Sequence, residues 1–245
     1  MVICYFQGNG GSTPLRLPLL SQVMKAIQEK SGSVGEDAEF ILVALSYRGY
    51  WKSSGRATQS GIERDAQAFL SWVSETYVQP DRDVSVVLWG HSLGAAVASS
   101  AVVKSLARTA GNKQPPIAGL ILEAPISSIK DMLISLYPQK WLPYRYLWPF
   151  SWNTWDVSST LGHMARYKTA TPSKGMSVPP ILLMSAESDE VIPLWVADQL
   201  EEKAKASGLD IERKSVKGAM HIEGPLKLDG RTALVDFIMN SSGNR

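Results

Sequence analysis

The sequence predicts an α/β fold, a mostly parallel sheet covered by helices on both faces, and three observations predict it. Six apolar runs of strand length occur at residues 2–6, 40–45, 84–89, 120–122, 181–184 and, more weakly, 211–216. They are continuous rather than alternating, the pattern of strands buried on both faces. Stretches with helical spacing lie between them, at 19–29, 62–77, 95–107, 194–206 and 232–239, and strands alternating with helices build a parallel sheet. The chain of 245 residues, 44% hydrophobic and 20% charged, supports one core, so residues 1–245 are read as a single domain.

Taken in order, each element is bounded by turn chemistry. The first strand runs into Gln7-Gly8-Asn9-Gly10-Gly11, and the second into Tyr47-Arg48-Gly49. Gln79-Pro80-Asp81 precedes the third strand and Gly111-Asn112 follows the third helix. About fifty residues separate the fourth strand from the fifth, far beyond an ordinary loop. This insertion, residues 128–167, is read as a lid. Between Tyr137 and Trp155 it holds eight aromatics in nineteen residues against 9% for the whole chain, and Pro138, Pro143 and Pro149 keep it from being one long helix.

Composition excludes several functions. Twenty-five Lys and Arg against 23 Asp and Glu give a net charge of +2 with no basic run, so nucleic acid is not an expected partner. One cysteine, Cys4, and three histidines leave no disulfide, no zinc cluster and no metal-dependent chemistry to expect. No stretch reaches the length of a membrane span, and the apolar run at residues 2–6 is too short for a signal peptide. The chain reads as a cytoplasmic or membrane-peripheral body that needs no cofactor.

Gly90-His91-Ser92-Leu93-Gly94 follows the third strand and opens the third helix, the context that makes G-x-S-x-G a nucleophile elbow rather than a turn with an inert serine. Ser92 is the candidate nucleophile. Of His91, His163 and His221 as its base, His91 adjoins the serine, with its side chain expected to point away, and His163 lies in the lid. His221 follows the last strand in the chain order Ser, Asp, His and is chosen. Among the acids after the fifth strand, Asp189 is preferred to Glu187 and Glu190, which are expected to be solvated, and to Asp156 in the insertion. The oxyanion hole needs two backbone N–H groups. Leu93, next to the nucleophile, supplies one, and Asn9 in the first glycine-rich loop is assigned the other; no phosphate-loop lysine follows that loop. Arg48 is read as paired to a carboxylate in preference to binding substrate. Trp141, Trp148 and Trp152 either roof an acyl channel or pack a small cap.

Taken together, Gly8-Asn9-Gly10-Gly11, Tyr47-Arg48-Gly49, the serine elbow, Leu120-Ile121-Leu122-Glu123-Ala124-Pro125 and Glu187-Ser188-Asp189 resemble the α/β-hydrolase superfamily, in particular the branch of monoacylglycerol and lysophosphatidylserine lipases and related fungal membrane-anchored hydrolases. The resemblance implies a catalytic Ser92, Asp189 and His221, with oxyanion donors at Asn9 and Leu93. It departs from that branch at Gln7, where a histidine is usual, and at Ser46, where an aspartate is usual. The chain begins at what would be the third strand of those proteins, so the sheet is expected to lack their N-terminal strand pair and to leave residues 40–45 as an exposed edge, open to dimerisation. The expected activity is hydrolysis of a small acyl ester, foremost a lipid ester such as a monoacylglycerol or lysophospholipid, which would bring the protein into peripheral membrane contact. Rival readings are a protein depalmitoylase, a small-metabolite esterase or thioesterase, and a non-catalytic binding module.

Overall fold

The computed structural model describes residues 1–34, 38–79, 83–107, 115–137, 139–170 and 177–243. Pro80, Asp81, Gly111, Asn112 and Pro138 lie outside the described residues. Six strands form one sheet: β1 (Val2–Phe6), β2 (Ile41–Leu45), β3 (Val86–His91), β4 (Ile117–Glu123), β5 (Ile181–Ala186) and β6 (Ile211–Val216). Their order is β2-β1-β3-β4-β5-β6, and all five pairings are parallel. The chain winds outward from β1 to the β2 edge, then returns past β1 and proceeds the other way. This reversal puts a topological switch point between β1 and β3, where the loops leaving two neighbouring strands diverge and open a crevice.

The apolar runs are continuous because alternate residues serve two different layers. On β1, Val2, Cys4 and Phe6 enter the core beneath α2 (Gln59–Tyr77), α3 (Leu93–Leu106), α5 (Val157–Ala170) and α6 (Leu194–Ala206). Ile3 and Tyr5 enter the opposite core, beneath α1 (Thr13–Val34) and α7 (Leu228–Gly243). Every residue of β1, β3 and β5 is buried, whereas β2 is only half-buried. At the other edge, β6 carries polar residues, and Arg213 pairs with Asp198 and Glu201; charge along an edge discourages pairing with another chain. α1 is longer than the spacing at 19–29 suggests. Pro14 falls in its first turn, where a missing N–H costs nothing, and the helix continues through Pro18.

The insertion between β4 and β5 divides in two. An antiparallel bridge between Ser128 and Asp156 closes an excursion of residues 128–156. Inside it, α4 (Ile129–Leu136) packs against two 3-10 turns, Pro143–Tyr146 and Trp148–Phe150, each begun by a proline in its first positions. The helix that follows, α5, packs against α3 and α6 and buries Val157, Leu161 and Met164 in the core. It covers the sheet, so the residues expected at 128–167 as one insertion comprise an excursion to Asp156 and a core-packed helix. A test follows from this division. Leu161→Ala should cost about 2–5 kcal/mol of stability, as loss of a core leucine does, whereas Trp152→Ala should stay within roughly 0.5 kcal/mol, as a surface change does; urea denaturation of the two variants measures both.

Candidate active site

β3 passes directly into Ser92, whose backbone sits at φ 53° and ψ −114°, a conformation costly for a side-chain-bearing residue. Two features impose it. The Ser92 N–H donates to the Glu123 carbonyl at 2.8 Å, the last rung of the β3–β4 ladder, which ties the serine backbone to the strand end. The flanking glycines then let backbones meet: a Cβ on Gly90 would lie 2.2 Å from the Gly94 carbonyl oxygen, and one on Gly94 would lie 2.0 Å from the Phe6 carbonyl oxygen. No other residue fits either position. Ser92 is the N-cap of α3, yet its hydroxyl makes no capping bond, so the helix does not consume the oxygen. Leu93 is the first residue of α3, and its N–H has no carbonyl one turn earlier to accept it.

The acid and base expected from the sequence meet at the ends of the last two strands. Asp189 follows β5, and His221 follows β6. His221 Nδ1 lies 3.0 and 2.9 Å from the two carboxylate oxygens of Asp189, and the side chains are only 9% and 3% exposed. Asp189 is itself fixed by accepting the N–H groups of Val191 at 2.8 Å and Ile192 at 2.7 Å through Oδ1. A carboxylate can only accept, so Nδ1 carries the proton, and Nε2 is the imidazole nitrogen with a lone pair. The competing acids have other work. Glu187 and Glu190 are exposed, as expected, and they also brace the His221 loop: Glu190 accepts the backbone N–H of His221 at 3.0 Å and Glu187 that of Gly218 at 2.9 Å. Asp156 accepts the N–H of Ser159 at 2.7 Å in the first turn of α5, and His163 is exposed on that helix.

A buried polar layer beneath this pair went unread in the sequence. Arg16 of α1 donates to the Tyr5 hydroxyl at 2.9 Å, to Glu123 Oε1 at 2.7 Å and to the Ile222 carbonyl at 2.9 Å, while Glu123 Oε2 accepts from the Trp89 indole at 2.8 Å. Burial opposes the charge on Arg16, but the neighbouring Glu123 carboxylate more than restores it and holds its pKa above the ordinary arginine value. His91 packs against the base loop: its ring centroid is 5.0 Å from that of His221, and its Nε2 is 3.1 Å from the His221 carbonyl oxygen. Burial depresses its pKa to about 4, against a raising influence from Glu123. His91 is therefore neutral at physiological pH, and its Nε2–H is the donor. Arg16 and His91 thus grip consecutive carbonyls, 222 and 221, on the loop that bears His221. The available signal was Glu123 itself, a carboxylate ending an apolar strand, which must find a partner when buried.

On the β1 side, Asn9 is exposed just beyond the strand, and its side-chain oxygen accepts from the Tyr50 hydroxyl at 2.7 Å. Tyr47 donates to the Gln7 carbonyl at 3.0 Å, and Gln7 Oε1 accepts from Thr13 at 2.6 Å, so an amide braces this loop at the position where the branch it resembles usually has histidine. Arg48 is bound to both carboxylate oxygens of Asp65 at 2.6–3.0 Å, a structural pairing. The three tryptophans differ in exposure. Trp152 is 94% and Trp141 79% exposed, and a ring so bare neither roofs a closed channel nor packs a cap. Trp148 is less exposed, and the Lys130 ammonium stands 5.0 Å from its ring centroid.

A parallel doubly wound sheet, a strained serine between β3 and α3, and an Asp–His pair beyond β5 and β6 define a class of hydrolases. The chain belongs to the alpha/beta hydrolase family, whose profile matches residues 31–227. It is 28% identical over 191 residues to protein bem46 of Schizosaccharomyces pombe, an alignment covering 78% of this chain and 52% of that protein. It is 31% identical over 199 residues to lysophosphatidylserine lipase ABHD12 of Xenopus tropicalis, covering 81% and 45%. The chain thus spans about half the length of the curated relatives it matches. Its fold is like that of Est1E from Butyrivibrio proteoclasticus, solved with ferulic acid, at a TM-score of 0.66, 15% identity and coverage of 99% and 90%. It is also like Pyrococcus furiosus esterase Pf2001, at 0.63, 17% identity and coverage of 98% and 80%. No helix among the described residues is long and apolar enough to cross a membrane.

His91 makes stability depend on pH. Its folded pKa of about 4 lies below the ordinary 6.5, so as pH falls the unfolded chain takes up the proton first. Its contribution is complete above pH ~6.5 and is lost as pH falls toward ~4, to the extent of roughly 3 kcal/mol. Chemical denaturation between neutral and acidic pH should show this loss, and His91→Gln, which retains a donor but does not titrate, should flatten it.

Proposed function

We propose that the chain is a serine hydrolase of carboxylic esters. The observation that carries this reading is the buried Asp189–His221 pair standing at the same sheet edge as the strained Ser92. In this reading Ser92 Oγ attacks the ester carbonyl while His221 Nε2 takes its proton, and Asp189 steadies the imidazolium that forms. The backbone N–H groups of Leu93 and Asn9 receive the negative oxygen of the tetrahedral intermediate. As that intermediate collapses, the imidazolium returns the proton to the departing alcohol and the acyl group remains on Ser92. Water, deprotonated by His221, then releases the acid and restores the serine.

A lipid ester, such as a monoacylglycerol or lysophospholipid, is the preferred substrate. Relatives named lysophosphatidylserine lipase, at about 30% identity, support it. The exposure of Trp141 and Trp152 favours a second reading, a small-ester hydrolase with an open site. Ser92→Ala and His221→Ala should each lower kcat by at least about 10³-fold with the fold intact, and His163→Ala should change it little. Labelling by a fluorophosphonate probe that is abolished in Ser92→Ala separates an enzyme from a binding module on the same fold.

Chain length decides the substrate. If an acyl chain is held in an apolar channel, kcat/KM should rise from acetyl to long-chain esters by up to ~0.8 kcal/mol per methylene until the channel is full. Trp148→Ala should then hurt long-chain esters several-fold more than acetate. A preference for acetate that the variant leaves unchanged overturns the lipid reading in favour of the small ester.

A further inference from the structure

The excursion between β4 and α5 presents its largest side chains to solvent. Trp141, Tyr144, Tyr146, Phe150 and Trp152 are 79%, 53%, 55%, 77% and 94% exposed. At about 200 Å² per ring they bare on the order of 700 Å², above the few hundred Å² of the largest patch on an ordinary monomer. These rings do not belong to a loose strap. The excursion is closed by the Ser128–Asp156 bridge. It is also pinned to the start of α2, where the Gln59 N–H donates to Asn153 Oδ1 at 2.8 Å and the Thr154 N–H donates to Gln59 Oε1 at 2.6 Å. The aromatics are a held projection.

Within the aromatic stretch itself the charge has one sign. Residues 132–155 contain no aspartate or glutamate, while Lys140 and Arg145 fall among the aromatics, and Lys130 stands over the Trp148 ring. The two acids at the base are engaged: Asp131 Oδ2 accepts the hydroxyls of Ser127 and Ser128 at 2.7 and 2.8 Å, and Asp156 Oδ1 accepts the Ser159 N–H at 2.7 Å. Tryptophan and tyrosine settle at the level of lipid headgroups, and lysines beside them are attracted by anionic lipid. A protein partner would need to supply an apolar pocket and acids together; an anionic bilayer supplies both everywhere.

We propose that the excursion is a docking surface for a bilayer with anionic headgroups, its rings entering the headgroup layer and Lys130 and Lys140 facing the lipid charge. The excursion leaves from the C-terminal end of β4 and is pinned to the helix that follows β2. A docked bilayer would therefore lie at the sheet edge that carries Ser92. This surface does not depend on the hydrolase reading, and its test needs no turnover.

The experiment is co-sedimentation of the whole chain with vesicles of phosphatidylcholine alone and of phosphatidylcholine with phosphatidylserine. Binding is expected only with phosphatidylserine and should weaken in high salt. Lys130→Ala and Lys140→Ala should each weaken it about fivefold, the factor that about 1 kcal/mol per basic residue represents. Phe150→Ser should reduce it further, with the thermal midpoint unchanged because the ring is on the surface. The proposal is overturned by absence of binding to phosphatidylserine vesicles, by equal binding to both compositions, or by binding that none of these variants alters. It is also overturned if light scattering detects dimers that Phe150→Ser dissociates, since a second copy would then cover the patch.

Discussion

Where Gly94 meets the end of β1, the backbones are so close that a single methyl group would sit 2.0 Å from the Phe6 carbonyl oxygen. That contact seats α3 against the crevice between β1 and β3, and the rest of the catalytic edge is arranged around it. It brings the first turn of α3 beside the loop that carries Asn9. Through Gly90, two residues before the serine, it also forces β3 to end in a turn too sharp for relaxed backbone geometry. The strain at Ser92 is thus held by constraints on three sides, with the Glu123 carbonyl as the third, and the serine backbone has little freedom to relax out of it.

The same Glu123 links that constraint to the histidine. Its backbone carbonyl fixes Ser92, and its side chain fixes Arg16, which in turn holds the Ile222 carbonyl. One residue at the end of β4 therefore addresses both the Ser92 turn and the loop that bears His221. Burying this ion pair carries a desolvation cost that attraction offsets only when the remaining hydrogen bonds are made, and here Tyr5, Trp89 and Ile222 provide them. The T-shaped contact of Tyr5 with Trp89, with ring centroids 5.1 Å apart, packs the apolar side of the layer.

Much of the fold was legible because its signals are local. Residues 2–6 and 181–184 are apolar without interruption and were legible as strands buried on both faces; residues 40–45 read the same way but form a half-buried edge, and the polar β6 was legible only as a weak strand because an edge has one neighbour. Ser92, Asp189 and His221 were singled out from chain order and turn chemistry. What escaped is non-local. Arg16 and Glu123 are 107 residues apart, and nothing near either one announces the other. The helical spacing of Val157, Leu161 and Met164 was absorbed into the aromatic stretch before it, so a sheet-covering helix was read within the same insertion. Glu187 and Glu190 resembled solvated loop acids because their acceptor role depends on the backbone of residues about thirty positions later.

The bond from Arg16 to the Ile222 carbonyl spans 206 residues. Contacts of such long sequence separation form late, after the entropy of closing the intervening chain has been met. During synthesis, β1, β3 and the serine turn would be available as soon as residues through β4 had emerged, but the loop bearing His221 could not be fastened until nearly the whole chain existed. A nascent or truncated chain would thus hold the strained serine turn before the Asp189–His221 pair had been brought to the same sheet edge.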